Sequence, residues 1–238
     1  MDLKLGGQVI LVVGGAGTIG SEVVKLLTEE GATAVAASRS TPLSIDASDE
    51  ASVRAGIDQV IAEHGRLDGL VVSSAPAAQT LSAETADDPD TVLAAIEGKA
   101  ITFMKAATVA LEKMREAGHG RIVALSGMNS YKTLSTTASA RNAALNVVVK
   151  NLADRHAGTG ITVNAISPGF VVAEPDAEVN RANGDTTWRR SRRRSRFCCR
   201  RAPHQFLERL FRWDIRRRAS SFLSSRELPK RKHPRVRA

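Results

Sequence analysis

Apolar positions along the chain change period in a regular way. Val9–Val13 is an unbroken apolar run, as a strand buried on both faces requires. Ser21–Glu30 follows as a helical stretch with Val23, Val24, Leu26 and Leu27 on one side, and Glu29-Glu30-Gly31 supplies a glycine stop. Thr33–Ser38 predicts a second strand, and Ser44-Ile45-Asp46 a short third one. Asp49–His64 places Val53, Ile57, Val60 and Ile61 at helical spacing, and Gly65-Arg66-Leu67-Asp68 turns into a strand at Gly69–Ser73. A long helical region over Thr91–Ala117 stops at Gly118-His119-Gly120, and a strand over Arg121–Ser126 follows. Ala138–His156 reads as a helix with Leu145, Val148, Val149 and Leu152 on one face, and Ile161–Ser167 as a strand ending at Pro168-Gly169. This alternation predicts an α/β fold, a doubly wound parallel sheet with right-handed crossovers.

The link from the first strand to the first helix carries chemistry. Gly14, Gly17 and Gly20 recur at three-residue intervals, and Gly15-x-Gly17-x-x-Gly20 satisfies the dinucleotide fingerprint. A tight turn needs a residue without Cβ, a pyrophosphate needs backbone N–H groups at close range, and the helix must pack closely on its strand. The helix N-terminus then presents unpaired N–H groups and the positive end of its dipole. A glycine turn can also serve the fold alone, but its position between a buried strand and an amphipathic helix favours a nucleotide.

Composition changes this picture only near the C-terminus. The 238 residues carry a formal net charge of +9, made of −7 over residues 1–180 and +16 over residues 181–238. Two segments are therefore expected: a nucleotide-binding domain over 1–180 and an Arg-rich atypical tail over 181–238. Both cysteines, Cys198 and Cys199, lie side by side in the tail, in a spacing that fits no metal site and no disulfide framework. No secretory signal is recognisable and no apolar run is long enough to span a bilayer, so a cytoplasmic protein without a metal is the expectation.

Several motifs together resemble the short-chain dehydrogenase/reductase family over roughly residues 5–175. Val13-Gly14-Gly15-Ala16-Gly17-Thr18-Ile19-Gly20 stands where the family has its glycine-rich turn. Asp46-Ala47 is similar to the acidic position that contacts adenine. Ser73-Ser74-Ala75-Pro76 stands where the family has N-N-A-G. Gly120–Ser126 is similar to the strand leading to a catalytic serine, and Val163-Asn164 through Pro168-Gly169 to the segment under the nicotinamide. The resemblance implies a Rossmann-like sheet, a nicotinamide cofactor held by Gly14, Gly17, Thr18, Ile19, Gly20, Asp46, Ala47, Ser74, Ala75, Pro168 and Gly169, and oxidation or reduction of a small alcohol or carbonyl compound. It also implies self-association through the helices at 91–117 and 138–156, with Phe103, Met104 and Val147 on the shared face; burial in the core is the alternative for these three.

Two positions refine the expectation. The second strand ends Ser38-Arg39-Ser40, with no carboxylate for ribose hydroxyls and a guanidinium suited to a 2′-phosphate, which favours NADP(H) over NAD(H); an Arg39 that only solvates the strand end is the alternative. The resemblance further implies a Tyr and a Lys four residues apart on one helix face, a serine holding the substrate oxygen and a supporting Asn. The ungapped register of Asn142-Ala143-Ala144-Leu145 puts Asn142 at the Lys position and Ala138 at the Tyr position, a degenerate pair. A one-residue shift offers Thr137 and Arg141, but a Thr hydroxyl is too weakly acidic to replace a phenol. Gly127 falls at the catalytic serine position, with Ser126 just before it, and Gly98-Lys99 falls near the supporting Asn. Ser126 and Tyr131, the chain's only tyrosine, are the candidate catalytic residues; a half-buried loop aromatic is the plainer reading of Tyr131. An oxidoreductase and a non-catalytic NADP(H)-binding protein both remain open.

From Thr187 the alternation stops. Arg189–Arg194 is a basic run, and Phe206, Leu207, Leu210, Phe211 and Ile215 lie among arginines at helical spacing. The tail reads as the product of a shifted reading frame, as a disordered segment, as a basic membrane-surface helix or as a nucleic-acid arm. The first reading implies that the last edge strand of the sheet is missing, leaving the sixth strand's outer edge unpaired and prone to aggregation.

Overall fold

The computed structural model describes residues 3–75, 84–132 and 135–168, with the short segments Val171–Val172 and Thr186–Thr187. In chain order these form β1 (Val9–Val13), α1 (Thr18–Glu29), β2 (Thr33–Ser38), β3 (Leu43–Ser44), α2 (Glu50–His64), β4 (Gly69–Val72), α3 (Pro89–Ile96), a π turn (Glu97–Ile101) and α4 (Thr102–Ala117). Next come β5 (Gly120–Leu125), a 3-10 turn (Met128–Ser130), α5 (Thr136–Arg155), β6 (Ile161–Ile166), β7 (Val171–Val172) and β8 (Thr186–Thr187).

Six strands make one parallel sheet in the order β3-β2-β1-β4-β5-β6. Every residue of β1 is buried, and they alternate between two layers. Ile10 and Val12 join Val23 and Leu27 of α1, while Val9, Leu11 and Val13 join Val53 and Ile57 of α2, Phe103 and Ala106 of α4, and Leu145 and Val149 of α5. Helices on both faces explain an apolar run without polar alternation, and each such side chain contributes about 1.5–3 kcal/mol relative to exposure. Among the described residues β6 forms the outer edge of this sheet, and β7 pairs with β8 in a separate parallel pair. Residues 188–238, which hold the basic tail and both cysteines, lie outside the described residues.

Element boundaries move where caps act. α1 begins at Thr18 rather than Ser21, because Gly17 already supplies the extended backbone of an N-cap. The long helical region begins at Pro89, where Asp88 caps it by accepting from the Thr91 N–H and hydroxyl, both at 2.8 Å. Those two donors also hold the Asp88 carboxyl below its ordinary range. The region is broken by the π turn. Ser135 caps α5, so that helix starts before Ala138. At the opposite end of the sheet from the glycine turn, buried Asp68 accepts from the Val9 N–H at 2.8 Å and from Arg66 at 2.6 Å, tying β1 to β4.

Candidate active site

The strand order reverses around β1 and β4, so a crevice opens at the C-terminal ends of these strands, where α/β sheets bind ligands. The glycine turn follows β1, Ser73–Ala75 follow β4, Ser126–Ser130 follow β5, and Ser167-Pro168 follow β6. Ser38-Arg39 and Asp46 lie past β2 and β3 along the same edge.

The glycine turn is built by close approach. Gly14 has φ +86, and a Cβ there would meet the Ser74 nitrogen at 2.6 Å. A Cβ on Gly20 would collide with the Gly14 carbonyl oxygen and approach the Ser73 hydroxyl at 2.8 Å. Ser73 closes the junction by donating to the carbonyls of Val13 and Gly14. Ala16, Gly17 and Thr18 are exposed at the mouth, no side chain caps the N-terminus of α1, and no acidic residue sits in its first turn. Ile19 is half-buried and packs against the α1 layer. The hydroxyl oxygen of Ser74 is buried with no hydrogen-bond partner among the described residues, and Ala75 is exposed beside it. An uncapped helix end, an open glycine mouth and an orphaned hydroxyl fit a bound dinucleotide.

At the far end of the crevice Arg39 is exposed, and Ser38 is half-buried with its hydroxyl 3.2 Å from that of Ser40. Asp46 accepts from the Ser48 N–H at 2.9 Å and the Ser48 hydroxyl at 2.7 Å. These bonds hold its carboxyl below the ordinary value, and the charges of Arg39 and Lys105 add to the effect. Ala47 is buried in the α2 layer. Pro168 is half-buried, its carbonyl accepts from the Met128 N–H at 3.0 Å, and Gly169 lies outside the described residues.

The centre of the crevice differs from expectation. Ser126 is buried, and its hydroxyl donates to the Asn142 carbonyl at 3.4 Å. Tyr131 stands in solvent with 75 % of its surface exposed, so Ser126 and Tyr131 occupy different environments. Ala138 and Asn142 are both buried on the inward face of α5, and Gly127 lies so close that a Cβ on it would meet the Asn142 amide nitrogen at 3.0 Å. Asn142 donates to the Ala138 carbonyl at 2.8 Å, and its side-chain oxygen is buried without a partner among the described residues. Thr137 is turned away, donating to the Ala86 carbonyl, which removes it as a phenol substitute.

Lys99 is a buried cation that the helical periodicity does not reveal. It is 7 % exposed, and its Nζ donates to the Ser126 carbonyl at 3.3 Å. Burial, with the nearby charge of Arg141, lowers its pKa to about 8. A lone lysine among Ile96, Ala100 and Ile101 was the available signal. The π turn, which directs it inward, has no sequence mark. Among the described residues no group of acidic, His or Cys side chains could hold a metal ion, and no helix is long and apolar enough to cross a membrane.

Residues 13–197 match the family described as enoyl-(acyl carrier protein) reductase. The match runs ten residues past Thr187, into the basic segment. The chain is 34% identical over 196 residues to D-threitol dehydrogenase of Mycolicibacterium smegmatis, covering 73% of this chain and 74% of that protein. It is 30% identical over 185 residues to cis-4-hydroxycyclohexanecarboxylate dehydrogenase of Sinomonas cyclohexanicum, covering 68% and 73%. A crystal structure of NAD+-bound xylitol dehydrogenase superposes with a TM-score of 0.61 at 23% identity, covering 72% of this chain and 73% of that one, a likeness of fold.

Proposed function

Because the chain belongs to the short-chain dehydrogenase/reductase family, we propose that it is an NADP(H)-dependent oxidoreductase acting on a small alcohol or the corresponding carbonyl compound. The family binds a nicotinamide cofactor, and the observation that carries the reading is the open, uncapped N-terminus of α1 at the glycine turn. Gly14, Gly17, Thr18, Ile19 and Gly20 would face the pyrophosphate, Asp46 and Ala47 the adenine, Ser74 and Ala75 the central ribose, and Pro168-Gly169 the nicotinamide. Bound there, the nucleotide supplies or accepts hydride. Substrate names of the relatives favour small hydroxylated compounds, so turnover of D-threitol, xylitol and cis-4-hydroxycyclohexanecarboxylate with NADP+ and NAD+, alongside fluorescence titration of both reduced nucleotides, is the direct test. Absence of nucleotide binding would remove the reading.

The choice of nucleotide rests on Arg39. It is exposed at the end of β2, and no carboxylate accompanies it in Ser38-Arg39-Ser40. A planar guanidinium pairs a phosphate through two parallel hydrogen bonds, whereas a carboxylate would repel it. Arg39→Asp is expected to weaken NADPH binding by about tenfold to a hundredfold, the loss of a charge-assisted contact of about 1.5–3 kcal/mol, while NADH binding holds or improves. Unchanged NADPH affinity would reverse the assignment.

A second reading has its own observation. Ala138 offers no proton and Asn142 no charge at the positions where the family's acid and cation are expected, which favours a protein that holds NADP(H) without using it. Tight binding with no turnover of any compound in the series would favour it.

A further inference from the structure

We propose that Lys99 is the proton-carrying group of this cleft, delivering a proton to the substrate oxygen in carbonyl reduction and removing it in alcohol oxidation. The inference rests on the oxidoreductase reading above and supplies the acid that α5 lacks.

The backbone places it. Between α3 and α4 the helix widens into the π turn Glu97–Ile101, and the Thr102 N–H and hydroxyl both return to the Glu97 carbonyl, the hydroxyl at 3.1 Å. Such single π turns are frequent at functional sites. This one buries Lys99 and Ala100 while Glu97 stays exposed. The Lys99 side chain therefore runs inward, and Nζ meets the Ser126 carbonyl just past β5, at the ligand-binding edge of the sheet. One of its three N–H bonds goes to that carbonyl; among the described residues the others have no protein partner. On the other side of Ser126 lies Asn142, with a buried oxygen that lacks a donor among the described residues. Ala138 leaves only a methyl group at the adjoining position. Among the described residues, a cationic donor and an unpaired acceptor thus flank one serine.

The chemistry balances. Reduction of a carbonyl requires two electrons as hydride, which a reduced nicotinamide nucleotide supplies when bound, and one proton for the oxygen. The proton leaves the Lys99 ammonium, whose N–H bond breaks as the O–H bond forms, and the neutral amine takes a proton back from solvent. Alcohol oxidation runs the same transfer in reverse, with the neutral amine as base. Around Lys99, Arg141 on α5 is the charged group among the described residues whose field reaches it, and burial acts in the same direction, bringing its titration to about 8. Proton exchange near neutral pH is then feasible, which an exposed lysine does not offer.

A lysine kept for chemistry has a further signature. Its folded pKa lies below the unfolded value near 10.5, so the unfolded chain binds the extra proton between about 8 and 10.5. Burying the charge destabilises the fold below pH 8, and the deficit fades as pH rises through that window. Lys99→Met is therefore expected to melt at or above the wild type at pH 7, with the difference shrinking toward pH 10. Replacement of a lysine that holds the structure would lower the melting temperature instead.

The test uses the full chain as wild type, Lys99→Met and Lys99→Arg, with NADP+ and the alcohol turned over fastest among D-threitol, xylitol and cis-4-hydroxycyclohexanecarboxylate. Wild-type oxidation should rise as pH passes about 8. Both variants should bind NADPH within about threefold of wild type, lose about a hundredfold in kcat and lose that limb. Acetylation of Lys99 in the wild type, followed by mass spectrometry against pH, should show half-titration near 8, independent of any turnover and of any variant's folding. Retention of kcat within threefold in Lys99→Met, persistence of the limb, a lowered melting temperature in that variant, or labelling that titrates near 10.5 would each overturn the role of Lys99 while leaving the oxidoreductase reading intact. Wild-type protein that binds neither nucleotide would instead overturn the oxidoreductase reading, and this inference with it.

Discussion

Gly20→Ala is expected to abolish nucleotide binding and lower the melting temperature by about 5–10 °C. The added Cβ meets the Gly14 carbonyl oxygen, which is backbone, and the Ser73 hydroxyl at 2.8 Å. A flexible neighbour could rotate aside, but a carbonyl fixed in a turn moves only with the turn. Gly14 is itself held from two directions. Its N–H donates to the Ala37 carbonyl at 2.8 Å, and its carbonyl accepts from the Gly17 N–H at 3.0 Å and from the Ser73 hydroxyl at 3.1 Å. Relief therefore displaces the turn proposed to hold the phosphates, or lifts α1 from β1. Overpacking of this kind costs about 2–3 kcal/mol, and one kcal/mol shifts the midpoint of a domain this size by about 2–4 °C. Binding should suffer more than stability, because a pyrophosphate site depends on several N–H groups aimed together. A loss of at least a hundredfold in NADPH affinity by fluorescence titration is the expected outcome. Affinity within threefold of wild type would mean that the nucleotide does not sit on this turn.

The parts of the fold legible in the sequence are those in which local pattern and tertiary role coincide. β1 and β2 fall at their expected residues, because an apolar run bounded by glycine leaves little freedom. α2 does too, with Asp49 outside as its cap. Errors collect where a cap or backbone irregularity decides. Gly17 starts α1 early, and the π turn inserts a register slip that helical periodicity averages away. The glycine turn, Ser38-Arg39 and Asp46 lie along one edge because parallel strands bring every strand-to-helix link to the same side. The centre of the crevice is less legible for a physical reason. The pattern along α5 puts Ala138 and Asn142 on its inward face, but which distant side chains lie near that face depends on packing between α5 and the π turn. Tyr131 is the sole phenol of the sequence, yet it is exposed to solvent, whereas Lys99 is buried with its Nζ on the Ser126 carbonyl.

Phe103 and Met104 show why a helix face must be resolved residue by residue. The family resemblance puts both with Val147 on an association surface, with burial in the core as the alternative. In the structure Phe103 is 1 % exposed and belongs to the core beneath the sheet, which corrects that expectation, while Met104, Val147 and Leu93 are exposed. Successive residues on a helix point about 100° apart, so one step along α4 turns from core to surface. Phe103→Ala is accordingly expected to cost about 3–5 kcal/mol, through lost burial and a cavity that α2, α4 and the sheet cannot fully close. Against a typical total of about 5–15 kcal/mol this is severe, and chemical denaturation should show the midpoint fall without a change in slope. The loss should be independent of protein concentration, because the contact lies within one chain. Val147→Lys makes the contrast: stability within about 0.5 kcal/mol for an isolated chain, and a smaller species by sedimentation if copies associate through α5. A concentration-dependent loss in Phe103→Ala, or no loss, would return Phe103 to the surface.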